Sequence, residues 1–321
     1  MSHTVLIIGL GQIGMGYDLN LDSNFYVYSH ARAFSIHSDF QIIAGVDTDL
    51  KKRKIFENSY CCKSYADLES AFKDFHPDVV IIALPTHLHA HTLRFILTRI
   101  KPNAIICEKP LSYDFAEAHT MVQACADKDV KLYVNYYRRS DPGVLEIKRR
   151  LVSGEMVTPV KGVAWYSKGL IHNGSHLINL LQFWLGPVIE NQVINTGCIR
   201  DDKDSEPDFE IKFMSGTVVF LAAWEEKFSH YTIELLSHNG RLQYERGGEI
   251  IKWQSVQPDA NLVDYHVLVN DLEIIHTGID KYQLNVVEQL SAEMNNNSYN
   301  LCTGLDALAT LDCIQPIIDR V

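Results

Sequence analysis

An α/β fold is what the sequence predicts: a doubly wound parallel sheet, followed by a second α+β domain on a mostly antiparallel sheet. Three observations carry this. Over the first 135 residues, short Ile- and Val-rich runs alternate with helical patterns. A glycine-spaced turn, with Gly9, Gly11 and Gly14 in G-x-G-x-x-G order, directly follows the first run. After residue 136 the signals change to paired strands with glycine-bearing turns.

The runs "TVLIIG" (4–9), "FQIIAGVD" (40–47), "DVVIIALP" (78–85), "NAIICEKP" (103–110) and "VKLYVNY" (130–136) lack period-two alternation. Strands buried on both faces read this way, as in parallel sheets. Between them "KKRKIFENSY", "YADLESAFKDF", "HAHTLRFILTRI" and "FAEAHTMVQACADK" are amphipathic helices in pattern. Strand–helix alternation of this kind implies a parallel, doubly wound sheet. In the second half, "DPGVLEIKRRLVSG" reads as a helix, "KGVAWYS" as a strand, and "SKGLIHNGSHLINLLQFWLG" (167–186) as a helix. Ser215-Gly216, Asn239-Gly240 and Gly247-Gly248 mark hairpins, where positive φ is expected. The stretches 200–208 and 293–300 read as solvated loops, and "GLDALATLDCIQPIIDR" as a closing helix interrupted near Pro316. The expected domains are 1–135 and 136–321, the last helix packing back on the first.

Composition sets bounds. The chain has 321 residues, 46% hydrophobic and 21% charged, with a formal net charge of −11. That is a globular composition with no basic surface to track a phosphate backbone, so nucleic acid is not an expected partner. Seven cysteines, an odd count without C-x-x-C spacing, argue for reduced thiols in a cytoplasmic protein and against a disulfide framework or zinc site. The N-terminal apolar run is short, lacks a preceding Lys or Arg and ends in glycines, so it reads as a first strand rather than a targeting segment. No apolar run reaches the ~20 residues of a membrane span.

The glycine turn has a physical meaning in this position. A strand, then Gly9, Gly11, Gln12, Ile13 and Gly14, allows a tight turn and close backbone approach to a pyrophosphate. Asp47 closes the next strand, where a carboxylate accepts hydrogen bonds from an adenosine ribose and repels a 2′-phosphate. That favours NAD over NADP, although Lys51, Lys52 and Arg53 nearby keep NADP open. The alternative is a plain tight turn with Asp47 as a helix cap. An insertion, "MGYDLNLDSNFYVYSHARAF", separates the turn from the periodic part of the first helix, and residues 15–29 read as an added loop.

"LPTHLHAHTL" (84–93), "IICEKPLS" (105–112) and "NYYRRSDPGVLEIKRRLVSGE" (135–155) follow in order, with "LCTGLDALATLDCI" near the end. With the glycine turn, these segments resemble the glucose-fructose oxidoreductase / inositol dehydrogenase / rhizopine-catabolism (Gfo/Idh/MocA) family over nearly the whole chain. The resemblance implies a Rossmann domain, a C-terminal open sheet that forms a homodimer or homotetramer, and NAD(P)-dependent oxidation of sugars, cyclitols or nucleotide sugars. It places Lys109 between nicotinamide and substrate and Glu108 by the nicotinamide ribose. It sets Leu84, Pro85, Thr86 and His89 along the dinucleotide groove, and makes a cis peptide before Pro110 an expectation. Independently, Lys109 follows a buried strand where open α/β sheets bind ligands, and an ammonium there steadies a developing alkoxide.

His172 and His176, four apart, admit three readings. A metal site lacks the glutamate of H-E-x-x-H and an evident third ligand, so no metal is expected. Packing is the second reading, since Leu177, Leu180, Leu181 and Trp184 form an apolar helical face beside them. The third follows from the resemblance: the family pattern D-x-x-x-H puts its acid–base histidine at His176. Here His172 replaces the aspartate and Asn179 the following acid. The expectation is hydride transfer with a carbohydrate-like substrate, with Lys109, His176 and His172 catalytic. Tyr136, Tyr137, Arg138 and Arg139 frame the pocket or, for the arginines, carry ordinary surface charge. The alternatives are a non-catalytic sensor on the same fold and an NAD-recycling epimerase or lyase.

Overall fold

A computed structural model describes residues 2–200, 204–223 and 228–321. The chain divides into two compact units, one taking residues up to Ser140 with Asp280–Leu308, the other Asp141–Ile279 with Ala309–Val321. The boundary expected at 135 thus falls after Ser140, and the stretch that joins the first unit is Asp280–Leu308, whereas the closing helix expected there lies in the second unit from Ala309 onward.

The first unit runs β1 (His3–Ile8), α1 (His30–Ile36), β2 (Phe40–Val46), α2 (Leu50–Tyr60), β3 (Lys63–Tyr65), α3 (Leu68–Asp74), β4 (Val79–Ile82), α4 (His89–Arg99), β5 (Ala104–Cys107), α5 (Phe115–Asp127) and β6 (Lys131–Val134). The sheet order is β3-β2-β1-β4-β5-β6, every pair parallel. β4 and β5 are buried at every position, which explains their unbroken apolar runs. Edge strand β3, three residues long, leaves no pattern to read. The order reverses between β1 and β4, and ligands of such sheets bind beyond the carboxyl ends at that switch.

The second unit continues with α6 (Pro142–Ser153), β7 (Val160–Tyr166), α7 (Ser175–Leu185), β8 (Val188–Arg200), β9 (Asp204–Phe213), β10 (Gly216–Ala222), β11 (Tyr231–Ser237), β12 (Gly240–Glu245), β13 (Ile250–Pro258), β14 (His266–Leu268) and β15 (Glu273–Ile275). α8 (Tyr282–Met294) lies in the first unit, and α9 (Gly304–Ile318) closes the chain. The sheet order is β14-β13-β12-β11-β7-β10-β9-β8, with β15 on β13. All its pairs are antiparallel except β7 with β10. α6 is set by its sequence: Asp141 caps it, Pro142 opens it, and Gly154 at φ 81° ends it. α7 buries Leu177, Leu180 and Leu181 completely, each worth about 1.5–3 kcal/mol. No helix among the described residues is long and apolar enough to cross a membrane.

Several loop expectations are corrected. Residues 204–208 belong to β9, with Ser205 and Glu206 buried; 201–203 lie outside the described residues. α8 extends to Met294, and Glu293 is buried and ion-paired with Lys131. α9 continues through Pro316 to Ile318, because the proline falls in the last turn, where little helix remains to lose. At the hairpins, Gly247 and Gly248 have φ of 69° and 108°, as expected. The other turns are Met214–Ser215 and His238–Asn239, with Gly216 and Gly240 already paired in their strands. Gly240 is needed for space instead: a Cβ there would meet Trp253 at 2.3 Å.

Candidate functional site

The glycine turn leaves β1 at Gly9 (φ 93°), whose Cα faces the carbonyl of Ala83 beyond β4. A Cβ on Gly11, by contrast, would meet nothing within 4 Å. The amides of Gly11, Gln12, Ile13 and Gly14 find no acceptor among the described residues. Four donors around an open glycine form a cradle of the kind a pyrophosphate fills.

Residues 15–29 are an insertion in the strict sense. α1 resumes on the glycine turn, His30 N donating to Ile13 O (3.0 Å) and Ala31 N to Gly14 O (2.9 Å). Asp18, wholly buried, closes the loop: its carboxylate accepts from Tyr28 N, Ser29 N and Ser29 Oγ at 2.6, 2.8 and 2.6 Å. Ser29 then caps α1.

Asp47, just past β2, accepts from Leu10 N (2.9 Å) and Asp49 N (2.8 Å), with Lys52 Nζ at 3.6 Å. Its carboxylate therefore braces the glycine turn itself, with lone pairs left for a ribose. Arg53 donates to the carbonyls of Asp47 and Thr48. Two of the three basic residues considered for a 2′-phosphate are thus engaged locally.

Leu84 and Thr86 are half-buried and Pro85 exposed at the end of β4. His89 is fully buried and does not present its ring to a groove. Its Nε2 meets Leu84 O (2.8 Å) and its Nδ1 meets Pro110 O and Leu111 O (3.2 Å each), so it ties the loops beyond β4 and β5 together. Lys109 and Glu108 follow β5, both half-buried, and the Lys109–Pro110 peptide is cis. Glu108 Oε1 contacts His30 Nε2 (2.7 Å) and accepts from Asn135 Nδ2 (2.6 Å). Burial pushes the Glu108 carboxyl up, but the His30 ring, the Asn135 amide and the Lys109 ammonium prevail and hold it below its ordinary range. Arg138 and Arg139 are buried, not surface charge. Arg138 stacks over Tyr137 at 4.7 Å, and Arg139 pairs with Asp306 at 3.3 Å.

In the second unit the two histidines part company. Leu170–Gly174 is a π-helical turn, and α7 starts only at Ser175. His172 is exposed, whereas His176 is 4% exposed, its ring edge-on to Tyr231 at 6.3 Å. Asn179 donates to Thr310 Oγ1 (3.0 Å) within the same unit. The π turn is held by carboxylates from β9: Asp204 accepts from Ile171 N (2.9 Å) and His172 N (2.8 Å), Glu206 from Gly169 N (2.9 Å). Burial raises the Asp204 carboxyl above its ordinary range, against the backbone donors that stabilise its charge. Sequence reasoning missed both acids. The available signal was Asp204, Glu206 and Asp208 at spacing two, one face of a strand. His30 and Asn135 were missed too, since nothing local marks a histidine inside an insertion as a partner for Glu108.

Residues 3–136 match the family described as "Oxidoreductase family, NAD-binding Rossmann fold". Inositol 2-dehydrogenase of Rhizobium meliloti is 30% identical over 135 residues, which are 40% of this chain and 40% of that protein, so the match spans well under two thirds of the relative. Two crystal structures share the fold across the whole chain. One is an oxidoreductase from Agrobacterium radiobacter in complex with NAD+, L-tartaric acid and magnesium (TM-score 0.74, 17% identity, 97% of this chain and 93% of that one). The other is the WlbA dehydrogenase from Bordetella pertussis in complex with NADH and UDP-GlcNAcA (TM-score 0.72, 15% identity, 100% and 96%).

Proposed function

We propose that the protein is an NAD-dependent dehydrogenase of a sugar, cyclitol or nucleotide-sugar-like alcohol, a reading supported by the match of residues 3–136 to the oxidoreductase family with an NAD-binding Rossmann fold. The observation that carries the cofactor is the amide cradle at Gly11–Gly14, braced by Asp47. Gly9, Gly11, Gln12, Ile13 and Gly14 would hold the pyrophosphate, Asp47 the adenosine ribose and Glu108 the nicotinamide ribose. Leu84, Pro85 and Thr86 would flank the dinucleotide, positioned through His89. Bound NAD supplies the hydride acceptor. Lys109 donates a hydrogen bond to the reacting oxygen and stabilises the alkoxide formed as its proton leaves. His176 takes that proton as general base, and His172 orients a neighbouring hydroxyl.

The relatives support the substrate class: one is an inositol dehydrogenase and one is a dehydrogenase bound to a nucleotide sugar. The outer face of the second sheet, exposing Val163, Trp165, Leu236 and Ile274, supports assembly into a homodimer or homotetramer. The seven free thiols support a cytoplasmic location.

The test is absorbance of reduced nicotinamide on incubating the protein with NAD+ and a panel of inositols, sugar acids and UDP-sugars. Turnover of one class is expected. Binding of NAD+ with no reduction across the panel, and no isomerised product by NMR, would reject the dehydrogenase reading.

A further inference from the structure

We propose that His30 is a positioning residue for Glu108, and that the inserted loop 15–29 serves to hold it there. The inference deepens the proposed function and rests on its placing Glu108 against a ribose. Glu108 stands beyond the carboxyl end of β5, and its two side-chain partners, His30 Nε2 and Asn135 Nδ2, converge on one oxygen, Oε1. Oε2 accepts nothing among the described residues, and the side chain keeps 12% exposure. One oxygen is thus held by two donors while the other keeps its lone pairs, as a carboxylate that accepts a ligand hydroxyl must.

His30 is only 1% exposed, and its ring meets this carboxylate at 2.7 Å. A buried imidazole must satisfy its polar ring atoms, and here the partner is a carboxylate beyond a strand end rather than a neighbouring carbonyl. Its backbone is set from both sides: His30 N bonds to the glycine turn at Ile13 O, and the preceding Ser29 is gripped by Asp18 from within the insertion. The loop therefore couples the phosphate cradle to the Glu108 carboxylate through one residue. The charged and titratable groups facing Glu108 are His30 from α1, Lys109 beside it, Cys107 at the end of β5 and Tyr282 of α8. His30 is the one that both touches the carboxylate and is placed by the insertion. Without it, burial would push the carboxyl toward its neutral form and free it to rotate.

The experiment is calorimetric titration of the full chain with NAD+ and, separately, with ADP, which has the diphosphate but no nicotinamide ribose. His30→Leu removes the donor. His30→Asn is too short to reach it, and serves if the leucine variant misfolds. His30→Gln keeps a donor near the Nε2 position. The leucine or asparagine variant is expected to weaken NAD+ at least about tenfold and leave ADP within about twofold. The glutamine variant should recover most of the loss. Wild-type NAD+ affinity in both the leucine and asparagine variants, or parallel loss of ADP and NAD+, would overturn the role of His30. Failure of the wild-type protein to bind NAD+ at all would instead sink the functional reading beneath it.

Discussion

Gly14 rests directly on Gly9: a Cβ on Gly14 would fall 1.9 Å from the Gly9 carbonyl oxygen. Gly11, three residues earlier, has open space where its Cβ would be. The two glycines of one motif therefore answer to different forces. Gly14→Ala is expected to destabilise the fold by about 1–3 kcal/mol through overpacking. Gly11→Ala should keep stability within about 0.5 kcal/mol while weakening NAD+ at least about tenfold, since its methyl group occupies ligand space. Urea melts and NAD+ titration separate the two; equal effects on stability would contradict this division.

Lys109→Met keeps the length of the side chain and removes its charge. Turnover should fall by at least about a hundredfold through lost alkoxide stabilisation, with NAD+ affinity changed little. Steady-state kinetics beside a binding titration decide it, and near-wild-type kcat would remove Lys109 from the mechanism.

His176 is buried at the start of α7 with its ring edge-on to Tyr231, yet it is the histidine matched by the family pattern. Substitution by alanine is expected to abolish the limb of the pH–rate profile near neutrality, the range in which an imidazole serves as acid–base. A profile of unchanged shape would assign the residue to packing.

Glu108 is held below its ordinary range, so its ionised form favours the fold. That contribution is complete above the unfolded carboxyl range near pH 4.5 and disappears as pH falls through the lower, folded value. The difference in melting temperature between wild type and Glu108→Gln should accordingly narrow on going from neutral pH to about pH 3. A difference constant with pH would show that no such linkage exists.

Asn179 stands where the family pattern has an acid, and its amide donates to Thr310 Oγ1, which itself donates to Gln182 Oε1 at 2.7 Å. Asn179→Asp removes that donor at a buried site, and a loss of about 1–3 kcal/mol of stability is expected. Chemical denaturation measures it; an unchanged midpoint would mean the pocket accepts the acid.

The sequence by itself determined the parallel sheet, because β4 and β5 are buried on both faces and only unbroken apolar runs satisfy that environment. It also marked the glycine turn: Gly14 is fixed by the Gly9 carbonyl five residues earlier, whereas the strand-end contact that requires Gly9, the Ala83 carbonyl, comes from β4 far along the chain. The positions of Asp47 and Lys109 just beyond β2 and β5 were legible, because each follows an unbroken apolar run. What only the tertiary structure decided lies across long separations. His30 finds Glu108 78 residues on, and Asp204 reaches back 32 residues to the amide of His172. The π turn separates His172 from His176, and His89 is turned inward by carbonyls beyond two strands. Local spacing carries no record of these partners: each buried polar group must find its hydrogen bond wherever the packed sheets bring one within reach.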